Sequence, residues 1–289
     1  MSLSDYATVG TPRVVARITS VAQAVEEFEK LSAVDDVLRV FRGHVEGTWR
    51  IAPSIFRDDI DTITHEYKLI RDLVALYPSD FEADRTMFDR LVRMQHFGLR
   101  TRLMDVTRNP LAALYFAAEE GEHDGKDGAV IVFNVPEERI KYFDSDSVSC
   151  IANLANLKNE EKNSIEDTKS RGIKEFHKIH AVDRLYQFVR AEKPEFRPRI
   201  LKDDLFKPYF VNPKMNNKRI IAQNGAFIIY GLKRSKGPSF TNNIKVTQFT
   251  VPALQKRSIR QTLQRLGYDD STIYPEIDRA SKQLMQKYK

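Results

Sequence analysis

The chain has 289 residues, of which 42% are apolar and 10% aromatic, which is enough to build a core and too much for a disordered chain. Lys and Arg exceed Asp and Glu by 46 to 40, and six surplus charges without a concentrated basic block do not by themselves establish nucleic-acid binding. A single cysteine, Cys150, excludes an intrachain disulfide and a multi-cysteine zinc site.

Met1 to Asp5 lack the basic-then-apolar order of a secretory signal, and no stretch approaches the ~20 apolar residues of a membrane span. The expectation is a cytoplasmic protein with no membrane partner.

In chain order, Val21 to Leu31 has the spacing of a short amphipathic helix. Val37 to Phe41 reads as a strand with Arg42-Gly43-His44 at its end and a loop running through Gly47. From Asp58 to Tyr77 and from Phe81 to Phe97 apolar residues recur at helical spacing, with Pro78-Ser79-Asp80 between them as stop and N-cap. Thr101 to Val106 is a short extended piece. Asn109-Pro110 then opens a helix over Leu111 to Glu119, proline taking its tolerated first-turn position.

Ala129 to Phe133 is a β-branched run of strand type, after which Asn153 to Asp183 turns polar, charged and helical, part of a helical insertion at about 145–195. Ile220 to Leu232 and Lys245 to Val251 predict two strands joined by a turn over Lys233 to Asn243. The tail, Leu254 to Tyr288, predicts two helical segments broken by Gly267 and Pro275.

Strands and helices mixed without regular βαβ alternation imply an α+β fold, a mixed or antiparallel sheet flanked by helices. Residues 20–253 form the domain that carries the insertion, and 254–289 form a helical extension packed on it. A glycine-rich phosphate loop of the dinucleotide or P-loop type is absent from the sequence.

Three segments concentrate polar groups and together predict one site, assembled around Arg42, Arg102 to Thr107, and Gln223. Arg42 follows an apolar strand and precedes a glycine, which suits either a guanidinium clamp on a carboxylate or phosphate, or a structural ion pair. Arg102 to Thr107 alternates polar groups up to a helix N-terminus, where anions are favoured; alternatively Asp105 or Thr107 caps that helix and Arg102 neutralises Asp105. Leu111, Leu114, Tyr115 and Ala118 are spaced as a core face, with Tyr115 the member that can also present a hydroxyl. Gln223 and Gly225 interrupt an apolar strand, as at a bulge or a site lining.

Phe41-Arg42-Gly43, the run Met94-Gln95-His96-Phe97-Gly98-Leu99-Arg100-Thr101-Arg102-Leu103-Met104-Asp105, Asn109-Pro110-Leu111-Ala112-Ala113-Leu114-Tyr115-Phe116-Ala117, and Arg219 with Gln223-Asn224-Gly225-Ala226-Phe227 resemble the FRG domain family. The resemblance spans roughly residues 20 to 235, and Val106 stands where family members usually carry tryptophan. It implies a bacterial or phage-associated module, some of which are linked to antiviral defence.

The order of the pieces is also similar to ADP-ribosyltransferases. That likeness implies an ADP-ribosyltransferase-like fold with NAD as substrate and a nucleic acid or protein as target. A phage component or a partner subunit is a further implied partner. On it, Arg42, Asp105 and Gln223 are the catalytic candidates. Arg42 with Gly43 and His44 would clamp a phosphate or ribose, and Thr101 or Thr107 would support the nicotinamide half. Arg102 and His96 would line the site, and Tyr115 or Phe116 would stack on a ring. Gln223 stands where many such transferases carry a glutamate, a role Asp105 or His96 would then take. The rival reading is a non-catalytic nucleotide or nucleic-acid sensor in which Arg42, Arg50, Arg100, Arg102 and Arg108 contact phosphates. Convincing metal-ligand spacing is absent from the sequence.

Overall fold

In a computed structural model that describes residues 12–31, 37–57, 61–169, 172–232 and 244–275, the described strands form one mixed sheet. They are β1 (Arg13–Arg17), β2 (Val37–His44), β3 (Leu103–Thr107), β4 (Gly128–Pro136), β5 (Ile140–Tyr142), β6 (Tyr209–Asn212), β7 (Gly225–Ile229) and β8 (Lys245–Val251). Their spatial order is β1-β8-β4-β2-β3-β7-β6-β5. The two outermost pairs are parallel and the inner ones antiparallel.

β2 pairs with β4 along its whole length, from Val37↔Pro136 to His44↔Ala129. It meets β3 only at Phe41↔Thr107. The sheet is therefore split down its middle on the Arg42 side of that bridge.

Side chains alternate between faces with a period of two, and both faces are apolar. On one face, Phe41, Val130, Val132, Phe249 and Val251 pack under α1 (Val21–Glu29), α4 (Pro110–Ala117) and α10 (Ala253–Arg265). On the same face beyond the split, Leu103, Phe227, Ile229, Tyr209 and Val211 pack under α2 (Glu66–Leu76), α3 (Met87–His96), α5 (Asp146–Asn153) and α8 (His180–Glu192). The opposite face forms a third core in which Val40, Met104, Ile131, Phe133, Phe210 and Ile228 meet Ile51, Ile55, Phe56 and Ile63. The split thus runs between two helical packs and over a continuous floor. Among the described residues no helix is long and apolar enough to cross a membrane.

Several boundaries differ from the sequence reading, each for a local reason. β2 continues through His44, because the β4 ladder extends that far. The helix expected from Asp58 begins only at Glu66, after a turn in which His65 N donates to Thr62 O and the Thr62 hydroxyl donates to Ile55 O. The helix expected from Phe81 begins at Met87: Pro78–Phe81 is a single 3₁₀ turn, and the true cap is Thr86, whose hydroxyl accepts from Asp89 N while the Asp89 carboxylate accepts from Thr86 N.

The insertion is helical, comprising α5, α6 (Asn159–Asp167), α7 (Ile173–Phe176) and α8. It is nevertheless not a polar appendage, since Ile151, Leu154, Ile165, Val182, Leu185 and Val189 are buried in the core it shares with the sheet. Ile220 does not start a strand: Lys218–Ala222 is a short helix, α9, capped by Asn217, and Asn224 adopts a left-handed φ of 45° to turn the chain into β7. The turn expected over 233–243 and the tail beyond 275 lie outside the described residues.

A candidate ligand cleft at the strand split

Where β2 and β3 part, Arg42 bridges the gap. Its Nη1 donates to Asp105 O at 2.6 Å, in place of a ladder bond, and lies 3.9 Å from the Asp105 carboxylate. Its Nε donates to His44 Nε2 at 3.0 Å. That bond makes Nε2 an acceptor and leaves the His44 proton on Nδ1, a buried atom without a hydrogen-bond partner. Burial first, then the charges of Arg42 and Arg57, hold the His44 pKa well below its ordinary 6.5, so the imidazole is neutral at physiological pH.

Gly43 has a reason in packing. A Cβ there would lie 2.1 Å from Ala113 O and 2.6 Å from Phe116 Cβ, so only glycine lets α4 settle onto β2. α4 is apolar on all sides and buried between the sheet and α10, with Asn109 capping its first amides and Pro110 at its first position. Its last turn brings Phe116, and Glu119 just beyond it, to the edge of the split.

Two adjoining hollows open there. One, of about 240 Å³, is bordered by Arg42, Gly43, Trp49, Thr107, Phe116, Glu119 and Tyr274. The other, of about 200 Å³, is bordered by Gln95, His96, Asn217 and Phe227. Both share Asp105, Val106, Arg219 and Gln223, so they form one cleft with those four residues at its waist. Asp105 is held there from the α3 side by Gln95 Nε2, 2.8 Å from its Oδ2.

The structure therefore brings together Arg42, Gly43, Asp105, Thr107, His96 and Gln223 from the sequence-predicted set. Their roles are not all those expected. Thr107 is a clamp: its hydroxyl donates to Gln223 O at 2.6 Å and accepts from Asn109 N at 2.9 Å, tying the end of β3 to the α9 turn. Gln223 sits at a helix C-terminus rather than in a strand, and its side chain is turned to Ile273 O at 3.0 Å.

Four expected members do not line the cleft. Arg102 does not reach the cleft: it is 1% exposed, its Nε and Nη2 donate to Glu66 at 2.9 and 2.5 Å, and Lys162 Nζ completes the group at 2.5 Å from Glu66 Oε2. Arg102 precedes β3, and its Nη1 also donates to Tyr230 O at 3.0 Å, so the guanidinium is spent at the start of α2 and the end of β7 rather than at Asp105. Thr101 is buried and spends its hydroxyl on Gln95 Oε1 at 2.5 Å while accepting from Leu103 N. Tyr115 points from α4 to Asp270, to which it donates, and burial together with that carboxylate raises its pKa. His44 is near Arg42 but buried behind it, with its ring 5.9 Å from that of Trp49.

Of the five arginines expected to contact phosphates in the sensor reading, only Arg42 borders the cleft. Arg108 lies over the Phe210 ring and donates to Asn212, beyond the end of β3.

Residues 38–126 match the family model described as the FRG domain, the segment that supplies β2, α3, β3 and α4. The chain carries an FRG domain. No curated protein and no solved structure matches the chain. The FRG segment contributes Arg42, Trp49, Gln95, His96, Asp105, Phe116 and Glu119 to the cleft, while Arg219, Gln223 and Tyr274 come from later in the chain.

Trp49, Phe116, Glu119 and Tyr274 were not assigned site roles by sequence reasoning, apart from Phe116 as an alternative to Tyr115. The available signal was slight: Trp49 is the one tryptophan, and Phe116 and Glu119 lie three apart in the helix that the sequence predicts over Leu111 to Glu119.

Proposed function

We propose that the cleft binds NAD and that the FRG domain uses it as an ADP-ribosyl donor toward a nucleic-acid or protein target. The supporting observation is the composition of the cleft at the strand split. Trp49 and Phe116 border the same hollow as Arg42 and Asp105, and that combination of aromatic surfaces with fixed charges suits a nucleotide.

The residues present fit the group in one further respect. Among the described residues Arg42 Nη2 makes no hydrogen bond, and Arg42 stays 17% exposed beside the cleft, leaving donors for a phosphate oxygen. Trp49 or Phe116 would take a ring, Arg219 a second negative charge, and Asp105 or Glu119 would accept from ribose hydroxyls. NAD supplies the ADP-ribosyl group: its bond to nicotinamide breaks, a bond from the same ribose carbon to a target oxygen or nitrogen forms, and the target's proton is lost. Gln223 is a neutral amide and cannot take that proton, so the base falls to Asp105 or Glu119. A place in antiphage defence is what the family resemblance adds.

A second reading, a binding module without turnover, draws on how the carboxylates are engaged. Asp105 accepts from Gln95 and faces Arg42, and Glu119 accepts from the Tyr274 hydroxyl, so both cleft carboxylates already have partners. Incubation with NAD labelled in either half separates the two. Released nicotinamide with label carried onto RNA, DNA or protein is expected for the transferase; quenching of Trp49 fluorescence by NAD with no nicotinamide released would leave the binding module alone.

A further inference from the structure

α10 ends at Arg265, and Gly267 just beyond it, with a φ of 86°, closes the helix as Tyr268 N donates to Leu263 O and Gly267 N to Gln264 O. The chain then crosses back to the cleft through α11 (Asp270–Ile273). Its ties to α4 and to the end of α9 are specific. Asn109 Nδ2 donates to the Tyr268 hydroxyl at 3.1 Å, Tyr115 donates to Asp270, and Gln223 Nε2 donates to Ile273 O.

At the end of this segment the Tyr274 ring lies 6.0 Å from Phe116 in an edge-on arrangement, with the Arg219 guanidinium 5.1 Å above it. Its hydroxyl donates to Glu119 Oε1 at 2.9 Å. Tyr274 also borders the open part of the cleft, so the ring fills the cleft's end rather than a separate core.

A flat ring between an aromatic and a guanidinium, with a carboxylate at its polar tip, is held as proteins hold a nucleobase-like heterocycle. We propose that Phe116, Arg219 and Glu119 form a ring-binding subsite of the cleft, that Tyr274 is its intramolecular occupant, and that a planar nitrogen heterocycle bearing an N–H donor displaces it. The inference rests on the nucleotide reading of the cleft and adds to it the place of one ring and a reason for low affinity at rest. While Tyr274 is seated, the apparent affinity is reduced by the fraction of molecules in which the subsite is open.

Calorimetric titration of the full chain with NAD, AMP and nicotinamide mononucleotide tests this. Tyr274→Ala should bind at least one of the three about tenfold or more tightly than the parent, as expected when a competitor that is seated most of the time is removed. Adding Arg219→Ala to that variant should abolish the gain. Tyr115→Phe, which cuts the tie to Asp270 from outside the subsite, should shift affinity the same way by a smaller factor, and it stands in if Tyr274→Ala does not fold.

A folded Tyr274→Ala protein that binds all three compounds no more tightly than the parent overturns the subsite and makes Tyr274 a fixed wall. If neither protein binds any of the three, the subsite falls together with the nucleotide reading. Tighter binding without nicotinamide release refutes the transferase reading and leaves the subsite standing.

Discussion

Replacing Glu66 with glutamine should destabilise the protein by about 3–5 kcal/mol, the cost of leaving buried charges without their partner. The Glu66 and Arg102 side chains are each 1% exposed and Lys162 is 5% exposed, so water cannot compensate the loss. Burial alone would raise the Glu66 pKa, but the charges and hydrogen bonds of Arg102 and Lys162 win and bring it from 4.5 to about 2. A carboxyl held that low contributes about 3 kcal/mol at neutral pH, in the same range. One carboxylate serves two cations, and burial lowers the Lys162 pKa despite Glu66. Lys162 can therefore shed its proton when Glu66 is gone, which favours the lower end of the range.

The sign of the pH effect follows from a lowered acid. The contribution is complete above pH 4.5 and is lost as the pH falls toward 2, so the gap between parent and variant in urea unfolding should narrow across that window. A gap below about 1 kcal/mol at pH 7, or one that does not change between pH 5 and 2.5, would refute the reasoning.

Gly43→Ala should cost roughly 1–3 kcal/mol or more in thermal or urea melts and should also weaken ligand binding, because its Cβ can be accommodated only if α4 moves and carries Phe116 with it. Arg42→Lys should lose most nucleotide affinity in calorimetry although the charge is kept, and Arg42→Ala should melt only slightly earlier, since the hydrogen bonds lost are worth about 0.5–1.5 kcal/mol each. Leu114→Ala, at a site with no exposure, should cost about 2–5 kcal/mol, and a smaller loss would place α4 wrongly. Cys150 is buried and its thiol is pushed up to about 12, mainly by burial, so thiol reagents at pH 8 should label the protein only after it unfolds.

Local chemistry was legible in the chain itself. The α+β class, the Asn109-Pro110 helix start and the strand at Ala129 to Phe133 follow from periodicity and capping, and the FRG blocks were recognisable from their residues. The adjacency of Arg42, Asp105 and Gln223 also followed from treating those blocks as one site.

What the sequence could not decide is the direction in which a side chain is used once strands pair. Arg102 and Asp105 are neighbours in the motif, yet Arg102 spends its guanidinium on a buried Glu66 that it shares with Lys162, while Asp105 is left in the cleft. Gln223 looked like a strand residue because its neighbours are apolar, but the turn at Asn224 ends a helix there. Most of all, Tyr274 reaches Glu119 and Arg219 across gaps of 155 and 55 residues, a contact between segments with no shared local signal. Local propensity acts over a few residues along the chain, whereas the cleft is closed by packing between segments that only the folded sheet brings together.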